Sequence, residues 1–313
     1  MESGGKMSAA ASDAAASGQH AIESVEATIT STGHGQSSAA WLDLHFEDCR
    51  PEYEAMLRSV GLQSGWQVLD AGTGGGAFLP LMAELVGAGG SIAALDLAPE
   101  NVAAVRERLA AWHLPCPVVV GQGTLLALPY PDAHFDAAWC ANVSQYLTDD
   151  ELATALAELR RVVRPGGLVA VKEFEGGHLM FAPADPAIPA RMYEVGRRTA
   201  PVAMSGQLRA RQMGGWLRRA GLVDVWQRTT LSERVAPLRP IARRHCADFF
   251  RLLGQYYLDA AANDPEVARI LATDLPFLRD QLDPDSPAAL VNSPDFYRCE
   301  GAVVAVGRVP GGD

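Results

Sequence analysis

The stretch Val68-Leu69-Asp70-Ala71-Gly72-Thr73-Gly74-Gly75-Gly76-Ala77-Phe78 constrains this chain more than any other. An apolar run rich in β-formers, Trp66 to Leu69, ends in an acid, followed by four glycines within five residues and a helix-compatible run. That order is a strand, a tight turn and a helix, the plan by which α/β proteins hold a nucleotide. Glycine supplies backbone angles closed to other residues and removes the Cβ where a ligand must approach the main chain. Alone, the turn leaves two readings open. A dinucleotide fingerprint, G-x-G-x-x-G with an acid about 20 residues on, fits Gly72, Gly74, Ala77 in third place and Asp96. The other reading gives weight to an acid ahead of the glycines, here Asp70.

Around this turn the chain alternates. Strands are expected at 67–70, 91–95, 118–120, 135–140 and 168–174, with helices between them. The first helix is expected over 76–86. The second opens with Pro99 and carries Val102, Val105, Leu109 and Trp112 on one side. A later one starts at the capping box Thr148-Asp149-Asp150-Glu151 and turns Leu152, Leu156, Leu159 and Val163 inward. Repeated strand–helix units with short turns imply a doubly wound parallel sheet.

Residues 63–175 are thus expected to form the nucleotide-binding core. Before it, residues 1–37 read as a disordered or loosely packed tail rich in Ser, Ala, Gly and Thr, with no apolar core of a secretory signal. Residues 38–62 read as an N-terminal lid of two amphipathic helices divided at Pro51. A lid insertion, a Pro-containing loop and a helix, is expected at 176–205. The remainder of the core, 206–313, takes a helix at 207–220, strands at 222–230 and 296–309, and an aromatic-rich helical insertion at about 236–285.

The 313 residues carry a formal net charge of −11 and a mean hydropathy of +0.02. The acidic balance argues against a nucleic-acid partner, and no apolar run approaches the ~18 residues that span a bilayer. Five scattered cysteines without Cys-x-x-Cys read as reduced thiols of a cytoplasmic protein. No His/Cys spacing marks a metal site, and none is expected. A homo-oligomer is compatible with the chain but not legible in it.

Further motifs decide between the two nucleotide readings. Asp70 to Gly76 looks like motif I of the class I S-adenosylmethionine-dependent methyltransferases, and Asp96 is the acid at the end of the second strand. Gln122-Gly123-Thr124, with Leu128-Pro129-Tyr130-Pro131-Asp132 and Phe135-Asp136, resembles the ubiquinone and menaquinone methyltransferase branch, as does Arg161-Val162-Val163-Arg164-Pro165-Gly166-Gly167. Four motifs in order, covering about residues 60–175, favour a methyltransferase over a dehydrogenase. The resemblance implies a Rossmann-like seven-stranded sheet with its last strand antiparallel, helical lid insertions and S-adenosyl-L-methionine as cofactor. It also implies roles. Asp70 acts on the methionine ammonium, and Gly72, Thr73 and Gly74 pass the methionine part. Asp96 accepts the ribose hydroxyls, Asn142 and Val143 lie under the methyl group, Leu97 and Thr124 are further cofactor-binding residues, and Gln122 and Gly123 frame the adenine. Gln122 departs from the Asp usual there. Tyr53 resembles the family's lid tyrosine, which faces the cofactor, and is a candidate catalytic residue, its alternative being a core aromatic of the helix.

For the methyl acceptor, a small and largely hydrophobic metabolite, two readings stand. Glu173, at the carboxyl end of the strand at 168–174, is a candidate base, since chemistry collects at that sheet edge and burial raises a carboxyl's pKa. Its alternative is a salt bridge to Lys172 or an arginine. Arginines in the lid segments, Arg191, Arg197 and Arg198, with the aromatics Trp139, Phe174 and Trp216, are expected to bind substrate. Together these fit C-methylation of an isoprenyl diphosphate, and the layout is similar to bacterial geranyl diphosphate C-methyltransferases. The alternative is O-, N- or C-methylation of an aromatic or polyketide-like molecule. A non-catalytic cofactor-binding regulator is a third reading.

Overall fold

The computed structural model describes Ser31 and residues 39–311. The expected tail at 1–37 lies outside the described residues, except Ser31, whose amide and hydroxyl donate to Glu100 at 2.5 and 3.0 Å.

Seven strands form one sheet: β1 (Gln67–Ala71), β2 (Ser91–Asp96), β3 (Val118–Gln122), β4 (Phe135–Ala141), β5 (Val163–Ala182), β6 (Val223–Val235) and β7 (Tyr297–Arg308). Their order is β3-β2-β1-β4-β5-β7-β6. The first five pair in parallel, and β7 runs antiparallel between β5 and β6. This is the expected Rossmann-like sheet, reversed in its last strand.

Strand alternation divides the core between the two faces. Val68, Ala137 and Ala170 meet α2 (Arg50–Val60), α3 (Leu79–Val86) and α4 (Pro99–Ala111) on one side. Leu69, Ala138 and Val169 meet α5 (Asp149–Val162) on the other, along with a short helix at Met213–Arg219. The capping box forms as expected: the Thr148 hydroxyl accepts the Glu151 amide, and the Glu151 carboxylate accepts the Thr148 amide at 2.8 Å. The helix expected from 76 begins only at Leu79. Gly76 stands at φ +78° and its amide closes a turn on Thr73, so the loop continues three residues longer.

The larger correction concerns β5. Expected to end at 174, it continues to Ala182. The register shifts between Glu175 and Met180, after which Met180, Phe181 and Ala182 pair with Cys299, Arg298 and Tyr297. β6 likewise runs to Val235 rather than 230. The ends of β5, β6 and β7 therefore form an arm beyond the nucleotide half. Leu179 and Phe181 on this arm, with Phe296 beside β7, pack beneath α6 (Ile188–Thr199), α9 (Pro240–Asn263), α10 (Pro265–Ile270) and α11 (Leu275–Asp280). Helices were expected across about 236–285, and α9 to α11 lie within it, between Pro240 and Asp280. The five cysteines are buried and unpaired. Among the described residues, no helix is long and apolar enough to cross a membrane.

Candidate active site

The carboxyl ends of β1, β2 and β4 open into a cavity of about 350 Å³, where a doubly wound sheet places its ligands. Of the residues expected to bind cofactor, Asp70, Gly72, Thr73, Gly74, Asp96, Leu97, Thr124, Asn142 and Val143 line it. Gly72 stands at φ +81°, and a Cβ there would overlap the Val143 side chain. The turn and the β4 loop are thus close enough only for glycine. Asp70 is buried; its Oδ2 accepts the Thr73 hydroxyl at 2.7 Å, and burial raises its pKa to about 7 despite that bond. Asp96 accepts the amides of Gly74 (2.7 Å) and Ala98 (2.9 Å) and the Asn101 side-chain amide (3.2 Å). Asn142 adopts φ +57°, a region Asn tolerates better than most residues. Its side-chain oxygen accepts the buried Lys172 ammonium at 2.8 Å.

Gln122 and Gly123 sit behind the rim. The Gln122 amide donates to the Leu97 carbonyl at 3.2 Å and the Gly123 amide to the Asp96 carbonyl at 2.9 Å, and neither residue lines the cavity. The wall on that side is Leu97, Thr124, Leu125 and Leu126.

A second cavity of about 110 Å³ adjoins the first and shares Leu42, His45, Asn142 and Tyr146 with it. Its wall is mostly aromatic and aliphatic, including Trp41, Phe174, Leu179, Met192, Phe249 and Tyr257. The polar groups on it include His45, His245, Arg298 and Glu300.

Among the residues expected to act on substrate, Phe174 lines the second cavity and Tyr53 the first. The others stand elsewhere, each for a physical reason. Trp139 is fully buried in the core against Phe78. Trp216 packs on the far face of the sheet beneath Arg219. Arg191 is held by Asp274 and Asp185, tying α6 to the approach to α11. Arg198 pairs with Asp264, and Arg197 is exposed. Glu173 lines neither cavity. Its Oε1 accepts the Ser144 amide at 2.6 Å, beneath the turn at Ser144–Tyr146, and burial raises its pKa. Lys172 does not bridge to it but lies over the Tyr53 ring, 3.5 Å from the centroid.

Sequence reading missed the polar groups that the fold does gather here. His45, on α1 (Ala39–Asp48), places its Nε2 2.9 Å from the Tyr53 hydroxyl and 2.8 Å from Glu300. Arg298 donates to Glu300 at 2.5 Å and lies over Phe249. Burial pushes the Glu300 carboxyl up, but Arg298 and His45 outweigh it and hold the acid well below the usual range. The ligand atoms of His45, Cys49 and Glu300 fall within 4.8 Å of one another, yet Arg234 already reaches Cys49 and Arg298 reaches Glu300. Next to them, Asp48 accepts Arg234 Nε at 2.7 Å and stands 2.8 Å from His245 Nδ1. The sequence signal was an N-terminal helix that carries Asp43, Glu47 and Asp48 around a single histidine, His45.

Residues 68–167 match the methyltransferase domain family. The chain is 37% identical over 126 residues to malonyl-[acyl-carrier protein] O-methyltransferase of Serratia marcescens, 40% of this chain and 45% of that protein. It is 31% identical over 118 residues to the ubiquinone/menaquinone biosynthesis C-methyltransferase UbiE of Shewanella piezotolerans, 38% of this chain and 46% of that one. The chain thus spans about half the length of the curated relatives it matches. In fold it is similar to the YcgJ protein of Bacillus subtilis (TM-score 0.53, 16% identity, 84% of this chain and 100% of that one). It is also similar to phosphoethanolamine N-methyltransferase 2 of Haemonchus contortus, solved with S-adenosyl-L-methionine (TM-score 0.50, 13% identity, 88% of this chain and 58% of that one). The matched motifs, the strand order and the glycine cradle beside buried Asp70 agree: the chain carries a class I S-adenosylmethionine-dependent methyltransferase domain.

Proposed function

We propose that the protein transfers a methyl group from S-adenosylmethionine to a small, largely apolar molecule seated in the second cavity. One observation carries this reading: the two cavities share a wall of Leu42, His45, Asn142 and Tyr146, so a donor in one meets an acceptor in the other. When bound, the cofactor supplies an electrophilic methyl on a sulfonium. The chain's task is then to bind, orient and exclude water. Asp70 receives the ammonium of the methionine part and Asp96 the ribose hydroxyls. Leu97, Thr124, Leu125 and Leu126 flank the adenine, and Asn142 and Val143 support the reacting end. The elements at 38–62, 176–205 and 236–285 act as the acceptor's enclosure.

Between the two acceptor classes, the geometry favours an aromatic or polyketide-like molecule over an isoprenyl diphosphate. A diphosphate needs several uncommitted cations. Arg191 and Arg198 are paired away from the cavity, and Arg298, which lines it, is paired with Glu300. The test combines calorimetric titration of S-adenosylmethionine with label transfer to phenols, polyketide-like enols and geranyl diphosphate. Cofactor binding with label in the phenol or enol pool supports the reading. Label in the geranyl pool alone restores the diphosphate alternative, and no transfer to any acceptor removes the enzyme reading.

A further inference from the structure

His245 is 1% exposed, lines the second cavity, and carries an Nε2 with no hydrogen-bond partner among the described residues. Its other ring nitrogen lies 2.8 Å from the Asp48 carboxylate, which is fully buried and held in turn by Arg234. The arrangement fixes one tautomer: Nδ1–H donates to Asp48, and Nε2 presents a bare lone pair. Buried polar atoms are rarely left unpartnered, and one on a cavity wall marks where a ligand's donor belongs. We infer that the second cavity takes an acceptor bearing a hydroxyl, and that His245 Nε2 receives its proton during O-methylation while Asp48 fixes the ring. This rests on the methyl-transfer reading above and names its substrate class.

His45 is the weaker candidate for that role. It stacks on His245 with centroids 4.8 Å apart, but its Nε2 is already within hydrogen-bond reach of Tyr53 and Glu300. The step balances. The hydroxyl oxygen forms the new O–CH3 bond, the S–CH3 bond breaks with its electron pair left on sulfur, and the hydroxyl proton moves to Nε2. The imidazolium later releases that proton to water. Burial lowers the His245 pKa to about 4 against the Asp48 bond, so the ring enters neutral and able to accept. A weak base suffices, because an oxygen gaining a third bond becomes far more acidic than an imidazolium. Asp48 is not itself titrated: burial pushes its carboxyl up, but the bonds to His245 and Arg234 outweigh that and keep it ionised.

The test compares para-cresol with para-thiocresol, an arenethiol that ionises without help near neutral pH. His245→Gln is expected to lower kcat for para-cresol at least about 100-fold and for para-thiocresol less than about threefold, with the cofactor Kd within twofold of wild type. Isotope-labelled histidine NMR of the wild type with S-adenosylhomocysteine should show the His245 Nε2 resonance move when para-cresol is added. Equal losses on both acceptors would make His245 a structural residue and overturn the inference. So would wild-type transfer confined to amines, carbon or geranyl diphosphate, although the methyltransferase reading would survive. Absence of both cofactor binding and transfer would remove that reading as well.

Discussion

Arg234 offers the strongest test of how the N-terminal helices are held. From β6 it donates to the Asp48 carboxylate (2.7 Å), the Asp48 carbonyl (2.6 Å) and Glu52 (3.1 Å), joining the α1–α2 corner to the arm. Its side chain is 8% exposed and that of Asp48 is 0%, so solvent screens the pair little. Arg234→Met keeps much of the volume and removes the charge, leaving buried Asp48 with His245 at 2.8 Å and the exposed Arg239 at 3.7 Å. Breaking a buried pair from one side costs about 3–5 kcal/mol, a large part of the roughly 5–15 kcal/mol that holds a typical domain folded. Asp48→Asn with Arg234→Met removes both charges, so the double variant should lose about 1–3 kcal/mol less than the sum of the single variants. Urea unfolding at neutral pH measures each variant. The pH dependence adds a sign. In the wild type, the Asp48 carboxyl lies below its ordinary 3.8, so its stabilisation is present above that value and is lost as pH falls through the folded pKa. Without Arg234 the folded pKa rises, though the His245 bond still lowers it, and the variant's deficit should shrink on acidification. A loss under about 1 kcal/mol, or additivity within about 0.5 kcal/mol, would refute the reasoning.

Three further outcomes follow from the site. Asp70, with a pKa of about 7, must be ionised to hold an ammonium. Cofactor affinity by calorimetry should therefore weaken up to about tenfold per pH unit below neutrality, and Asp70→Asn should flatten the profile and bind more weakly throughout. Gly72→Ala places a Cβ against Val143 at a positive φ and should lose about 2–4 kcal/mol by thermal unfolding, part of it recovered with Val143→Ala. Arg197→Ala and Arg198→Ala should leave KM for any accepted acceptor within twofold. Arg298→Met, on the cavity wall, should raise it at least about tenfold in the same steady-state assay.

The legible half of this protein is the half built from local signals. Asp70 to Gly76 and the Thr148 capping box each act within a few residues of themselves, and the fold places them, with Asp96, as the sequence implies. The acceptor side depends on partners that sequence does not juxtapose. Arg191 reads as a free cation until Asp274, 83 residues away, comes to meet it. His245 looks unremarkable until α9 lays it against Asp48, 197 residues earlier. Gly176-Gly177 resembles the start of a loop, yet β7 supplies a pairing edge that carries β5 past it, an instance of tertiary context overriding local propensity.

That irregularity in β5 divides the strand into two sections that can diverge separately. On its inner side the residues face β4 and the nucleotide half; on its outer side they face Arg298 and the helices. Because a strand's side chains alternate, losing a single residue between 176 and 179 would turn the outer section over while leaving the inner pairing intact. The enclosure proposed for the acceptor can thus be rewritten by small insertions or deletions at one place, with the pairing of the nucleotide half left as it is.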